Sequence, residues 1–216
     1  MGNFRNLVTE TVGELSYGDL YKKVANTIKD GYLVHGTDKE FLEFDPSMIR
    51  GGMRAEYGYG IYLTDTPYKA LEYGYNIIGT KKELYNFLDL SEKPSEECLG
   101  NIIQVDEKMA RLEQMLDCVR NVSEYERINA EIERLKDTSR MDGKMERSYH
   151  TMRNAIGMGL RNMEQVLKTT INNLPSDHMP FISELFLRCG YDGVKCENQY
   201  VIFNFKKLNA NLVRLY

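Results

Sequence analysis

The hydrophobic period of this chain changes twice, and the second change undoes the first. Short apolar runs of strand length occupy 1–75, apolar residues at helical spacing occupy 80–175, and strand-length runs return over 176–216. A few short strands are not stable alone, so the two outer zones have to pair with each other in space. The middle zone is then an insertion. The pattern predicts one α+β domain over 1–216 with a helical insertion at 80–175.

In the first zone, Leu20, Val24, Ala25 and Ile28 form a helical stripe within 19–29, and Asp30-Gly31 ends it. Tyr32 to Val34 and Gly60 to Leu63 read as short strands, separated by a loop that Pro46 and Gly51-Gly52 mark. Asp65 or Thr66 before Pro67 is a favoured helix start, which places Ala70 and Tyr73 on nearby turns. In the middle zone, one stripe runs through Val105, Met109, Leu112, Met115, Leu116, Val119 and Val122. A second follows a break at 121–123 with Tyr125, Ile128, Ile132 and Leu135. A third, beyond an Asp142-Gly143 turn, takes in Met152, Ala155, Ile156, Gly159, Leu160, Met163, Val166 and Leu167. Antiparallel helices burying these stripes against one another account for them, with Met filling gaps. The last zone opens on a helix start at Ser176, Asp177 and Pro180 and continues as strands near 191–196, 199–205 and 211–216.

Hydrophobic residues make up 42% and charged residues 28% of the 216, without the long apolar run of a membrane span, so no membrane partner is expected. The N-terminal segment lacks the apolar core of a signal peptide, and its Met-Gly start departs from the myristoylation pattern at Asn6. Cys98, Cys118, Cys189 and Cys196 have no metal-ligand spacing and no clustered His. They fit reduced, packed thiols of a cytoplasmic protein, with no metal. The net charge of −4 argues against nucleic-acid binding by bulk electrostatics. A local basic face stays open through Arg140, Lys144, Arg147, Arg153, Arg161 and Lys168, although such a run is ordinarily a solvated helix face.

The chemistry-bearing residues sit at strand ends. His35, Gly36 and Thr37 close the first strand, GYGIYLTD at 58–65 carries Tyr62, Tyr73 follows on the next helix, and NQYVIFN at 198–204 comes just after YDGV. In that order these motifs resemble the ADP-ribosyltransferase superfamily, nearer the poly(ADP-ribose) polymerase and diphtheria-toxin branch. The signature of that branch is a His, a Tyr and a Glu on three separate strands. The resemblance implies a split antiparallel β-sheet core, NAD as substrate, and an enzyme that transfers ADP-ribose to an acceptor. A toxin or defence role stays open beside a host-modifying one.

Breaking the bond between nicotinamide and ribose passes through an oxocarbenium-like state, so the site must hold nicotinamide still and stabilise positive charge on the sugar. By resemblance, backbone groups at Gly36 pair with the carboxamide, and glycine permits that approach. His35 bonds the adenosine-side ribose, with Thr37 setting the strand end. Tyr62 and Tyr73 sandwich the nicotinamide, stacking being worth about 0.5–1.5 kcal/mol per aromatic pair beyond burial. A carboxylate on the late strand binds the ribose hydroxyl next to the reacting carbon.

Two positions depart from the family. Ala70 stands where several relatives have a Ser that bonds the carboxamide, and Gln199 stands at the carboxylate position. An amide brings no negative charge, which by analogy with losing one oxyanion-hole donor costs on the order of 10²–10³ in rate. Three explanations compete. Gln199 is an introduced near-isosteric replacement of Glu; or the transferase works without Glu, using an acceptor carboxylate or Glu197; or the fold is a pseudoenzyme. Residues two apart on a strand share a face, which brings Glu197 into consideration. The expected function is mono-ADP-ribosylation of a macromolecular acceptor, protein or nucleic acid, with the insertion as lid or acceptor platform. An NAD-binding interaction module built on the helices and an NAD glycohydrolase are the alternatives.

Overall fold

A computed structural model describes residues 16–41, 43–45, 56–139 and 143–216. The Met-Gly start, the loop at Pro46 and Gly51-Gly52, and the Arg140–Asp142 turn lie outside the described residues. In chain order the first elements are α1 (Tyr17–Lys29), β1 (Tyr32–Thr37), β2 (Ile61–Thr64), α2 (Pro67–Leu71), β3 (Asn76–Lys81) and β4 (Phe87–Asp89). Helices α3 (Gly100–Cys118), α4 (Val122–Ser139), α5 (Gly143–Gly157), α6 (Met163–Asn172) and α7 (Met179–Arg188) follow. The chain closes with β5 (Gly193–Cys196), β6 (Gln199–Ile202), α8 (Phe205–Asn211) and β7 (Val213–Arg214).

The fold is α+β, and the chain divides into two compact units. The first unit comprises Met1–Gly52, Tyr59–Leu90 and Asp192–Tyr216; the second comprises Met53–Gly58 and Ser91–Tyr191. The helical segment therefore differs in extent from the expected 80–175. It starts later, because 76–81 and 87–89 are strands, and it runs on through α7.

In the first unit one sheet has the order β4-β5-β6-β2-β1-β3-β7. The expected antiparallel core needs correction: β4 and β5 pair in parallel, Leu88 opposite Val194. The long excursion between them is the crossover that a parallel pair requires. Two apolar layers cover the sheet. Leu33, Ile61, Leu63, Ile78, Tyr200 and Ile202 bury one face with Phe44 and Leu208. Val34 and Ile77 bury the other with Leu20, Val24, Ala70 and Leu71. Helix α1 supplies its stripe from a capped start, the Ser16 hydroxyl oxygen accepting from the Asp19 amide at 3.2 Å.

The sequence pattern missed α8. The stretch expected as continuous strand to 205 stops at Ile202, and Asn204 caps a helix by accepting from the Lys207 amide at 3.1 Å. Short polar side chains that bond the backbone compete with strand pairing, and here the cap wins.

In the second unit, the core draws on Tyr149 and Met152 of α5, Val166 and Leu167 of α6, and Leu185 and Phe186 of α7, each burying its apolar stripe. The third expected stripe is two helices. It breaks at Gly159, whose φ of +71° ends α5's continuation, and restarts where Asn162 caps α6 at the Gln165 amide. Tyr57 belongs to this unit: its hydroxyl donates to Glu164 at 3.1 Å, and Lys168 lies 5.3 Å over its ring. The first stripe is less buried than expected, with Met115 at 46% and Val122 at 73% exposure. No described helix is long and apolar enough to cross a membrane.

Candidate functional site

The site begins with a weakness in the sheet. β1 pairs with β3 along its whole length, and β2 pairs with β6 from Ile61 opposite Ile202 to Thr64 opposite Gln199. Between β1 and β2 there is one register pair, Val34 opposite Thr64. The sheet is thus two laced ribbons joined by a single rung, and beyond the rung the two strands have no further register pair. His35 crosses the gap, its Nδ1 lying 2.8 Å from the Tyr62 carbonyl oxygen.

A carbonyl only accepts, so Nδ1 carries the proton and the neutral ring presents Nε2 as an acceptor. Burial pushes the His35 pKa below its usual value, and the bond to Tyr62 offsets part of that shift. Neutral imidazole is therefore the resting form.

A cleft of about 480 Å³ opens here, within the usual size range of small-molecule sites. His35, Phe41, Phe44, Gly60, Ile61 and Tyr62 line it, with Lys39, Glu40, Glu43 and Asp45. Phe44 meets the His35 ring edge-on at 5.4 Å and Phe41 at 4.9 Å, so the histidine is braced by an aromatic pair. Glu40 is paired with Arg214 at 2.9 Å. The strand-end pattern does not mark Phe41 and Phe44, although EFLEF sets them three residues apart ahead of Pro46.

The expected site residues divide. His35 and Tyr62 come together in the cleft. Gln199 lies one strand beyond, opposite Thr64, half-buried and on the same face as Tyr62, whose own partner is Val201. Such diagonal neighbours sit about 7–8 Å apart. Among the described residues the Gln199 amide makes no side-chain hydrogen bond. His35 shares the opposite face with Leu33, so a ligand touching all three would pass through the gap between β1 and β2.

The remaining residues are elsewhere. Gly36 is needed for packing: a Cβ there would overlap the Ala70 carbonyl oxygen and lie 2.9 Å from that of Gly74. Gly74, at a φ of +149°, is equally crowded by Thr37, so β1 and the α2 turn are clamped together. Ala70 is buried in the cluster with Leu20 and Val24 and does not line the cleft. Thr37 accepts the Lys39 amide at 3.1 Å and shapes the strand exit. Tyr73 is 70% exposed on the turn after α2 and is absent from the cleft lining.

Glu197 requires a correction. β6 starts at Gln199, and Glu197 is an exposed corner of the two-residue hairpin between Cys196 and Gln199, with a φ of +51°. Alternation along a strand does not apply there. The hairpin is nonetheless fixed in place: the Thr64 hydroxyl donates to the Asn198 carbonyl at 2.8 Å and accepts from the Thr66 amide at 3.0 Å.

Tyr200, next to Gln199, is buried and tied at both sides. Its hydroxyl donates to Asp65 at 2.8 Å and accepts from Lys82 at 2.6 Å. Burial, then the bond to Asp65, raises its pKa far above the usual range. Its two bonds hold β6 in place.

Three of the six cations of the expected basic face are held in ion pairs, and Arg140 lies outside the described residues. Lys144 pairs with Asp177, Arg153 with Glu96 at 3.1 Å, and Lys168 with Glu164 at 2.7 Å. Among the described residues no three His, Cys, Asp or Glu side chains are grouped to hold a metal.

No family model, no curated protein and no solved structure matches this chain.

Proposed function

We propose that the chain is an NAD-dependent mono-ADP-ribosyltransferase acting on a macromolecular acceptor. The observation that carries the reading is the meeting of separate motifs at one gap: His35 bonded to Tyr62 across it, and Gln199 on the next strand, level with the joining rung. NAD enters as substrate. The nicotinamide–ribose bond breaks, the acceptor nucleophile bonds the same ribose carbon, and the acceptor's proton leaves to base or water.

Each residue has a part its chemistry allows. The bare Nε2 of His35 accepts from a ribose hydroxyl, and Phe44 holds the imidazole on its edge. Tyr62 offers its ring to the nicotinamide. Gln199 can bond a ribose hydroxyl through its amide but supplies no charge, so the charge opposing the developing cation comes from the acceptor or, in a Gln199→Glu variant, from the enzyme. A protein acceptor fits better than nucleic acid, because the net charge is −4 and three of the six cations that favoured nucleic acid, Lys144, Arg153 and Lys168, are paired. Action in a reducing, cytoplasm-like compartment agrees with the thiols. Burial pushes Cys98 up to about 12 and Cys189 up to about 11, leaving both inert at neutral pH.

The test is nicotinamide release from NAD by this chain and by its Gln199→Glu variant, with and without cell extract as acceptor source. Release by the variant at least about a hundredfold above the parent supports the assignment of Gln199. Silence of both under every condition overturns the transferase reading. Equal release of free ADP-ribose with and without extract replaces it with glycohydrolysis.

A further inference from the structure

The α3–α4 hairpin has one side sealed and one side open. Ile128, Ile132 and Leu135 are buried, and Lys108 of α3 reaches Glu131 of α4 at 2.6 Å. Along the hairpin runs a groove of about 460 Å³ walled by Leu112 and Met115 of α3 and Arg127, Ile128, Glu131 and Arg134 of α4. Met115 is 46% exposed there. A helical hairpin that leaves apolar wall in water is half of a four-helix bundle.

The geometry points to a second copy of this chain as the occupant. Helix α4 places Glu124, Arg127, Glu131 and Arg134 at three- and four-residue spacing, hence on one face. When an identical α4 is laid antiparallel about a two-fold axis at residue 129, Glu124 falls opposite Arg134 of the second copy. Arg127 falls opposite Glu131 of the second copy, and both pairs repeat by symmetry, as an isologous interface requires. Every charge of the stripe meets its opposite. Pairing within one helix accounts for Glu131 and Arg134, which bond at 3.0 Å. It leaves Arg127 and Glu124 without a side-chain ion pair among the described residues, and it leaves Met115 exposed in the groove wall beside half-buried Leu112.

Size sets the strength. A helix of 18 residues is about 27 Å long, and two side by side are about 20 Å wide, so the face offers about 540 Å² per copy. That total lies at the lower limit of specific interfaces, so the dimer is weak and concentration-dependent.

The test is sedimentation velocity on the full chain from low to high micromolar concentration. The weight-average mass should climb towards twice that of the monomer. Met115→Glu and Arg127→Glu should each shift the midpoint upward by about tenfold or more with helix content unchanged. Glu124→Arg should weaken assembly, and Glu124→Arg with Arg134→Glu, which exchanges the two ends of one cross-pair, should restore it. A mass that stays monomeric at every concentration overturns the proposal. So do variants that assemble as well as the parent, and a double variant no better than Glu124→Arg alone.

Discussion

Removing the carboxylate of Asp192 should loosen the sheet of the first unit more than any other single charge deletion there. Its Oδ2 accepts the Asn86 amide at 3.0 Å and Lys207 Nζ at 2.7 Å, and its Oδ1 accepts Asn204 Nδ2 at 2.9 Å. Its backbone carbonyl accepts the Phe203 amide at 2.8 Å. One residue thus ties the approach to β4, the end of β6 and the start of α8, with its side chain only 12% exposed. In Asp192→Ala the Asn86 amide and the Asn204 side chain lose their acceptor, each loss costing about 1–3 kcal/mol when buried, whereas half-exposed Lys207 can turn to water. Both groups are only partly shielded from water, so together the two losses fall in the lower part of that range, about 2–4 kcal/mol, which corresponds to a Tm lower by about 4–16 °C in a chain of this size. Asp192→Asn should cost less, since one acceptor survives while its NH₂ faces a donor. The pH dependence adds a second check. Burial raises this carboxyl, but Lys207, Asn86 and Asn204 outweigh it and hold the pKa below its usual value. A depressed pKa gives stability that is full above the unfolded value, about 3.9, and is lost as pH falls through the folded one. Urea unfolding should therefore show a parent-to-Asn difference that is constant from neutral pH to about pH 4 and shrinks below it. A cost under about 0.5 kcal/mol for the Ala variant, or a difference that persists unchanged in acid, would refute the reasoning.

Three further outcomes follow from single residues. Gly36→Ala forces a Cβ into the Ala70 carbonyl and should destabilise by about 1–3 kcal/mol or more in a denaturant melt; an unaffected midpoint contradicts the β1–α2 clamp. Glu197→Gly relieves an L-residue at positive φ and should raise stability by about 0.5–1 kcal/mol, provided the corner keeps its shape; a loss shows that the Glu side chain stabilises the turn. Imidazole ¹⁵N spectra should show His35 as the Nδ1–H tautomer with a pKa below that of a free histidine. Its stabilising share is full above about pH 6.5 and is lost as pH falls through the lowered folded value, so a titration at or above the free value discards the buried-neutral assignment.

Much of this was legible in the residues, and the failures share a cause. Helix α1 was readable because Leu20, Val24 and Ile28 repeat at helical spacing before Asp30-Gly31, and the α2 start because Pro67 follows Thr66. The strands β3 and β4 were absorbed into the insertion, since Asn76–Lys81 carries adjacent apolar residues and no alternation to mark it. Helix α8 hid behind the apolar run that ends at Phe203, with only Asn204 to announce it. The cleft-lining His35 and Tyr62 are legible because strand-end polar residues stand out. Glu197 was misplaced because a two-residue turn shifts the start of β6, and alternation has no meaning across a corner. Gly36 was given a ligand-facing role while its missing side chain makes room for the α2 backbone, a contact no linear pattern encodes.

The one rung between β1 and β2 gives this sheet a crease. In an evenly laced sheet a tear between any two strands breaks a whole ladder, so the sheet resists as a block. Here the hydrogen-bonded hold along the central line is the Val34–Thr64 pair and the His35 tether, with the apolar layer of Leu33, Ile61 and Leu63 packed across it, while the ladders on either side run the length of their strands. Torsion applied to the sheet concentrates there. The two ribbons can change their mutual twist without unzipping, and a substitution at Val34, Thr64 or His35 would act on that angle before it acts on either ribbon.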